Sequence, residues 1–254
     1  MTQNLDIGAA LGRIFDVYGK QIGVLFPAAL ILFIPAAIVA TLLVLILAPI
    51  LLGLSSGPGL GASLIALVAV IPIVVVAFWY IGVVVEATED MEDGARDVSV
   101  GGLLQNSSRH IPRLVGAGLL VMVALIALSV AALLLGAVLP GGIVAALIAV
   151  VTTYLLIRWA LIAPAIVVEG ATVTGAFTRS SNLIRGHFWR VSAVFLVVYL
   201  LVFLVGLVFN LVATIFGGSV IIEQLIRAIA NALVAPVAAL SSAIVFFELR
   251  PAEG

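Results

Sequence analysis

VEGATVTGAFTRSSNLIRGHFWR, Val168 to Arg190, interrupts a chain that is otherwise mostly apolar. It gathers one acid, three arginines, a histidine and a tryptophan between two long hydrophobic runs, about 143–168 and 191–216. A hydrocarbon core about 30 Å thick takes roughly 20 apolar residues per helix, and both runs meet that length. Charged residues with an aromatic, set between two such runs, mark a place where a membrane-spanning chain surfaces.

Read outward from there, the rest of the sequence repeats the pattern. Hydrophobic residues make up 65% and charged residues 9%, with a mean hydropathy of +1.41. Soluble domains carry roughly 45–50% apolar and about 25% charged residues, so that class is excluded. A net charge of −1 without a basic block excludes nucleic acid as a partner. The absence of cysteine excludes a disulfide framework, a thiolate nucleophile and a Cys-based metal site. No cleavable signal is expected, because Asp6, Arg13, Asp16 and Lys20 precede the first long apolar run.

The expected fold class is an all-α integral membrane protein. Six transmembrane helices form three hairpins, each preceded by a short interfacial amphipathic helix. The spans fall at about 24–54, 60–85, 114–139, 143–168, 191–216 and 221–247, within one polytopic domain covering 1–254. SSGPG (Ser55 to Gly59) and LPGGI (Leu139 to Ile143) read as turns. Pro27, Pro35, Pro49 and Pro72 are expected to kink their helices, and Glu86 to Asp97 reads as an acidic loop.

The first interfacial helix is expected over 5–22. Ile7, Leu11, Ile14, Phe15, Tyr18 and Ile22 fall at helical spacing there, with the charges elsewhere on the wheel. The second and third interfacial segments fall at 98–113 and 171–186. GAALGRIFDVYGKQIGVL (Gly8 to Leu25), VGGLLQNSSRHIPRLV (Val100 to Val115) and GAFTRSSNLIRGHFWRV (Gly175 to Val191) read as three copies of one unit, the middle one loosest.

Orientation follows from the basic residues. Arg13, Lys20, Arg96, Arg109, Arg113, Arg179, Arg185, Arg190 and Arg250 fall on one side of the six-span layout, and the turns SSGPG, LPGGI and FGGS carry none. Basic residues favour the cytoplasm, so a multi-pass protein of the cell membrane with both termini cytoplasmic is expected.

Ionisable and amide groups inside spans are expensive and are candidates for function. Arg158 lies within the fourth span, about 16 Å of helical rise before Glu169. It either faces a substrate or lipid headgroup, or snorkels to the surface, or pairs with Glu86 or Glu169. In the sixth span Glu223, Arg227 and Asn231 share a face at i, i+4 and i+8, and Asn210 shares one with Tyr199 and Gly206 in the fifth. Such stripes mean either close helix packing or the wall of an aqueous path, and the two stripes are placed to meet.

No catalytic residue, metal site or cofactor is expected. His110 and His187 lack a carboxylate at ligand spacing, and no HExxH, phosphate loop or GxSxG elbow occurs.

Glu169-Gly170, Ala176, Arg179-Ser180, Leu183, Gly186 and Trp189-Arg190 resemble the E…A…RS..L..G..WR signature of the glycerophosphoryl diester phosphodiesterase membrane-domain family. FFELRPAEG (Phe246 to Gly254), with Glu248 and Arg250, is similar to that family's closing motif. In some members the domain precedes a TIM-barrel phosphodiesterase that holds the catalytic acids and metal ligands. This sequence holds no such barrel, so the resemblance does not imply that activity here and supplies no catalytic residues. Glu169, Arg179, Ser180, Arg185, Gly186, Trp189, Arg190, Glu248 and Arg250 carry over as motif residues, for a lipid headgroup or as a clamp: Arg179 or Arg185 pairs either with a lipid phosphate or with Glu169 or Glu248.

The expected function is a non-enzymatic, lipid-interacting or accessory component of the envelope, and the alternative is a transporter or channel for a small polar or amphiphilic solute. Membrane lipids are the expected partners, with another membrane protein or a second copy of the chain beside them.

Overall fold

The computed structural model describes residues 6–54, 58–92, 99–136, 138–216 and 219–250. Ser55 to Gly57, the acidic stretch 93–98 with Arg96, Gly217, Gly218 and the tail from Pro251 lie outside them, as does the first residue expected in the leading helix, Leu5. The described residues are helical and contain no strand. Their helices are α1 (Ile7–Leu54), α2 (Pro58–Glu92), α3 (Val100–Ser107), α4 (Ile111–Gly136), α5 (Gly141–Arg158), α6 (Ile162–Val167), α7 (Val173–Arg185), α8 (Phe188–Phe216) and α9 (Val220–Leu249). Among the described residues six helical runs are long and apolar enough to cross a membrane, so the chain is an all-α multi-pass membrane protein, as expected.

The bounds differ from expectation in three places. The leading amphipathic segment is not a separate helix, because α1 runs unbroken for 48 residues. At roughly 1.5 Å per residue that is about 72 Å, more than twice the bilayer core, so α1 must project well beyond the hydrocarbon. Pro27, Pro35 and Pro49 stand inside it without ending it. The acidic stretch is helical up to Glu92, because α2 continues past its apolar part. The fourth span is not one helix: α5 ends at Arg158 and α6 begins at Ile162. Pro164 explains that break. It has no N–H for the Ala160 carbonyl and its ring opposes it, whereas the first turn of α6 tolerates a proline.

The three repeat copies open in the same way. Asp6 Oδ1 accepts from the N–H of Gly8 at 2.8 Å, Ser99 Oγ from Gly102 at 3.1 Å, and Thr172 Oγ1 from Gly175 at 3.2 Å. Each is a side-chain cap on a helix start. The leading glycines make room for it, since a Cβ on Gly102 or Gly175 would stand 3.0 or 2.9 Å from the capping oxygen.

Most of the core sits toward the end where α1 begins and α2 closes, called here the polar end. Ile14, Leu25, Tyr80, Val83, Leu114, Leu161, Ile166, Ile184, Val194, Leu240 and Phe246 are buried there. The α1–α2 pair is antiparallel: Gln21 donates to the Ala87 carbonyl at 3.2 Å, and Tyr80 donates to the Leu25 carbonyl at 3.0 Å. Tyr18 ties α1 to α9 by donating to the Leu233 carbonyl at 3.1 Å. Toward the other end Leu45, Ile46, Val123, Leu134, Val150, Leu204, Leu211 and Ile215 are exposed.

Candidate functional site

The segment Arg158 to Phe188 carries most of the singled-out residues at the polar end. Breaking the fourth span frees backbone groups that hydrocarbon cannot satisfy. Ser180, wholly buried on α7, satisfies two of them. Its hydroxyl donates to the Arg158 carbonyl at 2.7 Å and accepts from the Leu161 N–H at 3.1 Å. Trp159, in the break, packs edge-on to Phe177 with centroids 5.2 Å apart.

Glu169 follows α6 and meets Arg179 on α7. Arg179 Nε donates to Glu169 Oε1 and Oε2 at 3.1 and 2.8 Å, and Nη2 donates to Oε1 at 2.7 Å. This fork geometry is the strong form of an arginine–carboxylate pair. The hydrogen bonds from its guanidinium to Glu169 raise the pKa of Arg179 above its ordinary value, so it stays charged. Between them Gly170 takes a φ of +63°, a conformation that L side chains rarely adopt, and it is the only such residue among those described. Its carbonyl accepts from Arg113 Nη1 at 3.0 Å, which ties the start of α4 to the same corner. Gly186, expected as the breaking glycine, ends α7 in right-handed geometry at φ −83°.

α7 buries Ala176, Ser180 and Ile184 and exposes Thr174, Thr178, Asn182 and Arg185. This is a two-faced helix lying between the broken span and α8. Trp189, in the first turn of α8, is 83% exposed. Arg190 stands beside it, also exposed, while Glu248 and Arg250 at the end of α9 are half-buried.

Arg158 is not in the middle of a continuous span: it is the last residue of α5. It pairs with neither Glu86 nor Glu169. Its Nη1 donates to the Tyr154 hydroxyl at 3.0 Å, and its guanidinium carbon lies 5.6 Å from that ring's centroid. Arg158, Tyr154, Ile184, Arg185 and Phe188 line one cavity of about 260 Å³.

The polar stripes of the last two spans lie elsewhere. Glu223 and Arg227 approach to 3.9 Å as an i,i+4 pair, with side chains 42% and 54% exposed. Asn210 and Asn231 are both exposed, and neither hydrogen-bonds to a described residue, so the two stripes do not meet through their amides. Asn210 lines an open cavity of about 600 Å³ with Phe203, Gly206, Leu207, Leu211 and Thr214. No cluster of His, Asp or Glu among the described residues is arranged to hold a metal ion.

Sequence reasoning missed three participants: Pro164 as the breaker, Gly170 as the left-handed turn, and Tyr154 as the partner of Arg158. Pro164 and Gly170 were visible as residue types. Tyr154 was visible as the i−4 neighbour of Arg158.

Comparison with known proteins finds a family match over part of the chain. Residues 136–249 match the family described as the membrane domain of glycerophosphoryl diester phosphodiesterase. The matched stretch is less than half of the chain and takes in α5 to α9, with Glu169, Arg179, Ser180, Gly186, Trp189, Arg190 and Glu248. The resemblance carried by those residues therefore holds over that stretch. No curated protein and no solved structure matches the chain.

Proposed function

We propose that this chain is a non-enzymatic multi-pass protein of the cell membrane, with both termini cytoplasmic, that interacts with lipids as an accessory component of the envelope. In this reading α7 and the capped starts of α1 and α3 lie in the cytoplasmic interface, each leading into a transmembrane hairpin. The observation that carries it is α7 with its exit: a helix with one buried face ends on exposed Arg185 and passes at once to Trp189, 83% exposed at the start of α8. An exposed tryptophan beside arginines suits the headgroup layer, where an amphipathic ring and a cation each find their medium. The three side-chain-capped starts support a common interfacial role for the repeat units. The non-enzymatic part rests on the sequence, which carries no recognisable catalytic motif.

Native mass spectrometry of protein purified in mild detergent tests the reading. Retained phospholipid or a co-purifying membrane protein is the expected result. A bare chain that keeps neither contradicts it.

A second reading, transport of a small polar or amphiphilic solute, is favoured by one observation, the open cavity lined by Gly206, Asn210 and Thr214. The chain has no native cysteine, so labelling is clean. Under that reading Gly206→Cys, Asn210→Cys, Asn231→Cys and Ala235→Cys react with a membrane-impermeant thiol reagent. Under the lipid reading the four are shielded by acyl chains or by a packed neighbour.

A further inference from the structure

We propose that the cavity between the end of α5, the end of α7 and the start of α8 binds a phosphate ester anion through Arg158, Arg185 and the Tyr154 hydroxyl. The proposal deepens the lipid reading by naming the headgroup chemistry and the residues that would take it.

Two arginines line the same cavity, and none of its lining residues is acidic. Among the described residues neither arginine has a carboxylate partner. Glu169, the acid nearest in sequence, is engaged by Arg179 through three hydrogen bonds. Two unneutralised guanidinium groups at a membrane surface attract an anion, and a planar fork of donors matches phosphate oxygens.

Arg158 spends one of its N–H groups on Tyr154, and the Arg185 side chain makes no hydrogen bond among the described residues. The Tyr154 oxygen accepts from Arg158, which leaves its own proton to donate. The site therefore presents unspent donors from three side chains.

Arg158 sits where the fourth span breaks, and its carbonyl is held by Ser180. Arg185 is in the last turn of α7, the helix that carries Ser180. Each arginine closes a helix, so its backbone is held by the last turn of that helix. The lock on the broken span fixes the approach of both.

Size and surroundings favour a lipid as the source. A cavity of about 260 Å³ is small for a drug-sized ligand and leaves room for a headgroup phosphate. Phe188 and Tyr154 pack 5.4 Å apart as an apolar wall, and Trp189 packs against Phe188 at 5.6 Å. Tyr154 and Trp189 are themselves exposed. A phosphate held by the arginines would place its glycerol and acyl chains along these rings.

The experiment uses the full chain in nanodiscs or mild detergent, with phosphatidylglycerol, phosphatidylcholine and inorganic phosphate as probes. Native mass spectra give lipid retention, and melting temperature in increasing phosphate gives the soluble arm. Wild type is expected to retain phosphatidylglycerol over phosphatidylcholine. Arg158→Gln and Arg185→Gln should each lower that preference about tenfold, the scale of one charge-assisted hydrogen bond. Arg158→Lys and Arg185→Lys, which keep the charge but lose the fork, should fall between. Arg227→Gln, far from the cavity, should match wild type and serves as the folded control.

If phosphate raises the melting temperature of wild type but not of the Gln variants, while lipid type is immaterial, the site stands with a soluble phosphate as its source. If wild type retains phosphatidylglycerol and a folded Arg158→Gln/Arg185→Gln variant retains it equally, this site is wrong and the lipid reading survives. If wild type responds to neither lipid nor phosphate, both fail.

Discussion

At the polar end, Leu161 to Val167 are buried without exception, and the backbone groups freed at the broken span are taken by Ser180. In the outer half of the same span Leu147, Val150 and Val151 are all exposed, and α8 leaves Leu204, Leu207, Val208 and Leu211 open over the same stretch. The two regions have nearly the same apolar composition, so hydrophobicity does not distinguish them. The difference is what the irregular backbone demands. A continuous helix satisfies itself and can face lipid on most sides, whereas a broken one must be enclosed by groups that complete its hydrogen bonds. Ser180 answers that demand directly, and the Glu169–Arg179 pair and the left-handed Gly170 close the turn that follows at the same end.

This contrast is broken most easily at Ser180. Ser180→Ala leaves the Arg158 carbonyl and the Leu161 N–H without their partner, and a loss of about 3 kcal/mol is expected for two such buried groups. Thermal unfolding in detergent measures it, and a loss no greater than that of a far-half substitution would erase the distinction. Next comes the Glu169–Arg179 pair, with side chains 20% and 38% exposed. Because water screens part of it, Arg179→Gln should cost only about 1–2 kcal/mol, with coupling to Glu169→Gln of about 1 kcal/mol in a double-mutant cycle. Gly170→Ala should cost about 1 kcal/mol, since it forces a Cβ into a left-handed backbone, although space around it is open. The smallest effect belongs to the far half. Leu204→Ala, at a position 50% exposed, should stay within about 0.5 kcal/mol by the same unfolding measurement, because no core contact is lost.

The fold class was legible in the sequence because membrane spans announce themselves by length and composition. The break in the fourth span was less so. Arg158 looked embedded because the apolar run continues through Trp159 to Ile166 without a polar interruption. Only Pro164 signalled that the helix stops and restarts, and prolines elsewhere, as at Pro27 and Pro35, interrupt nothing. The pairing of Glu169 with Arg179 was one of several partnerships that spacing allowed, and ten residues apart across a turn is not a helical neighbour spacing. Its geometry depends on Gly170, whose φ no periodicity reveals. The Glu223–Arg227 pair was legible because i,i+4 on one helix is local. That Asn210 and Asn231 do not hydrogen-bond to each other was not, because it depends on how α8 and α9 rotate against each other.

The most direct test of the account is the melting temperature of the intact chain in anionic against zwitterionic bilayers, because a bound ligand stabilises the folded state by mass action. Phosphatidylglycerol should raise it over phosphatidylcholine, the rise should vanish in Arg158→Gln/Arg185→Gln, and it should persist in Asn210→Leu/Asn231→Leu. A rise that vanishes with the asparagines and persists without the arginines would place the lipid-responsive surface in the far half and contradict the account.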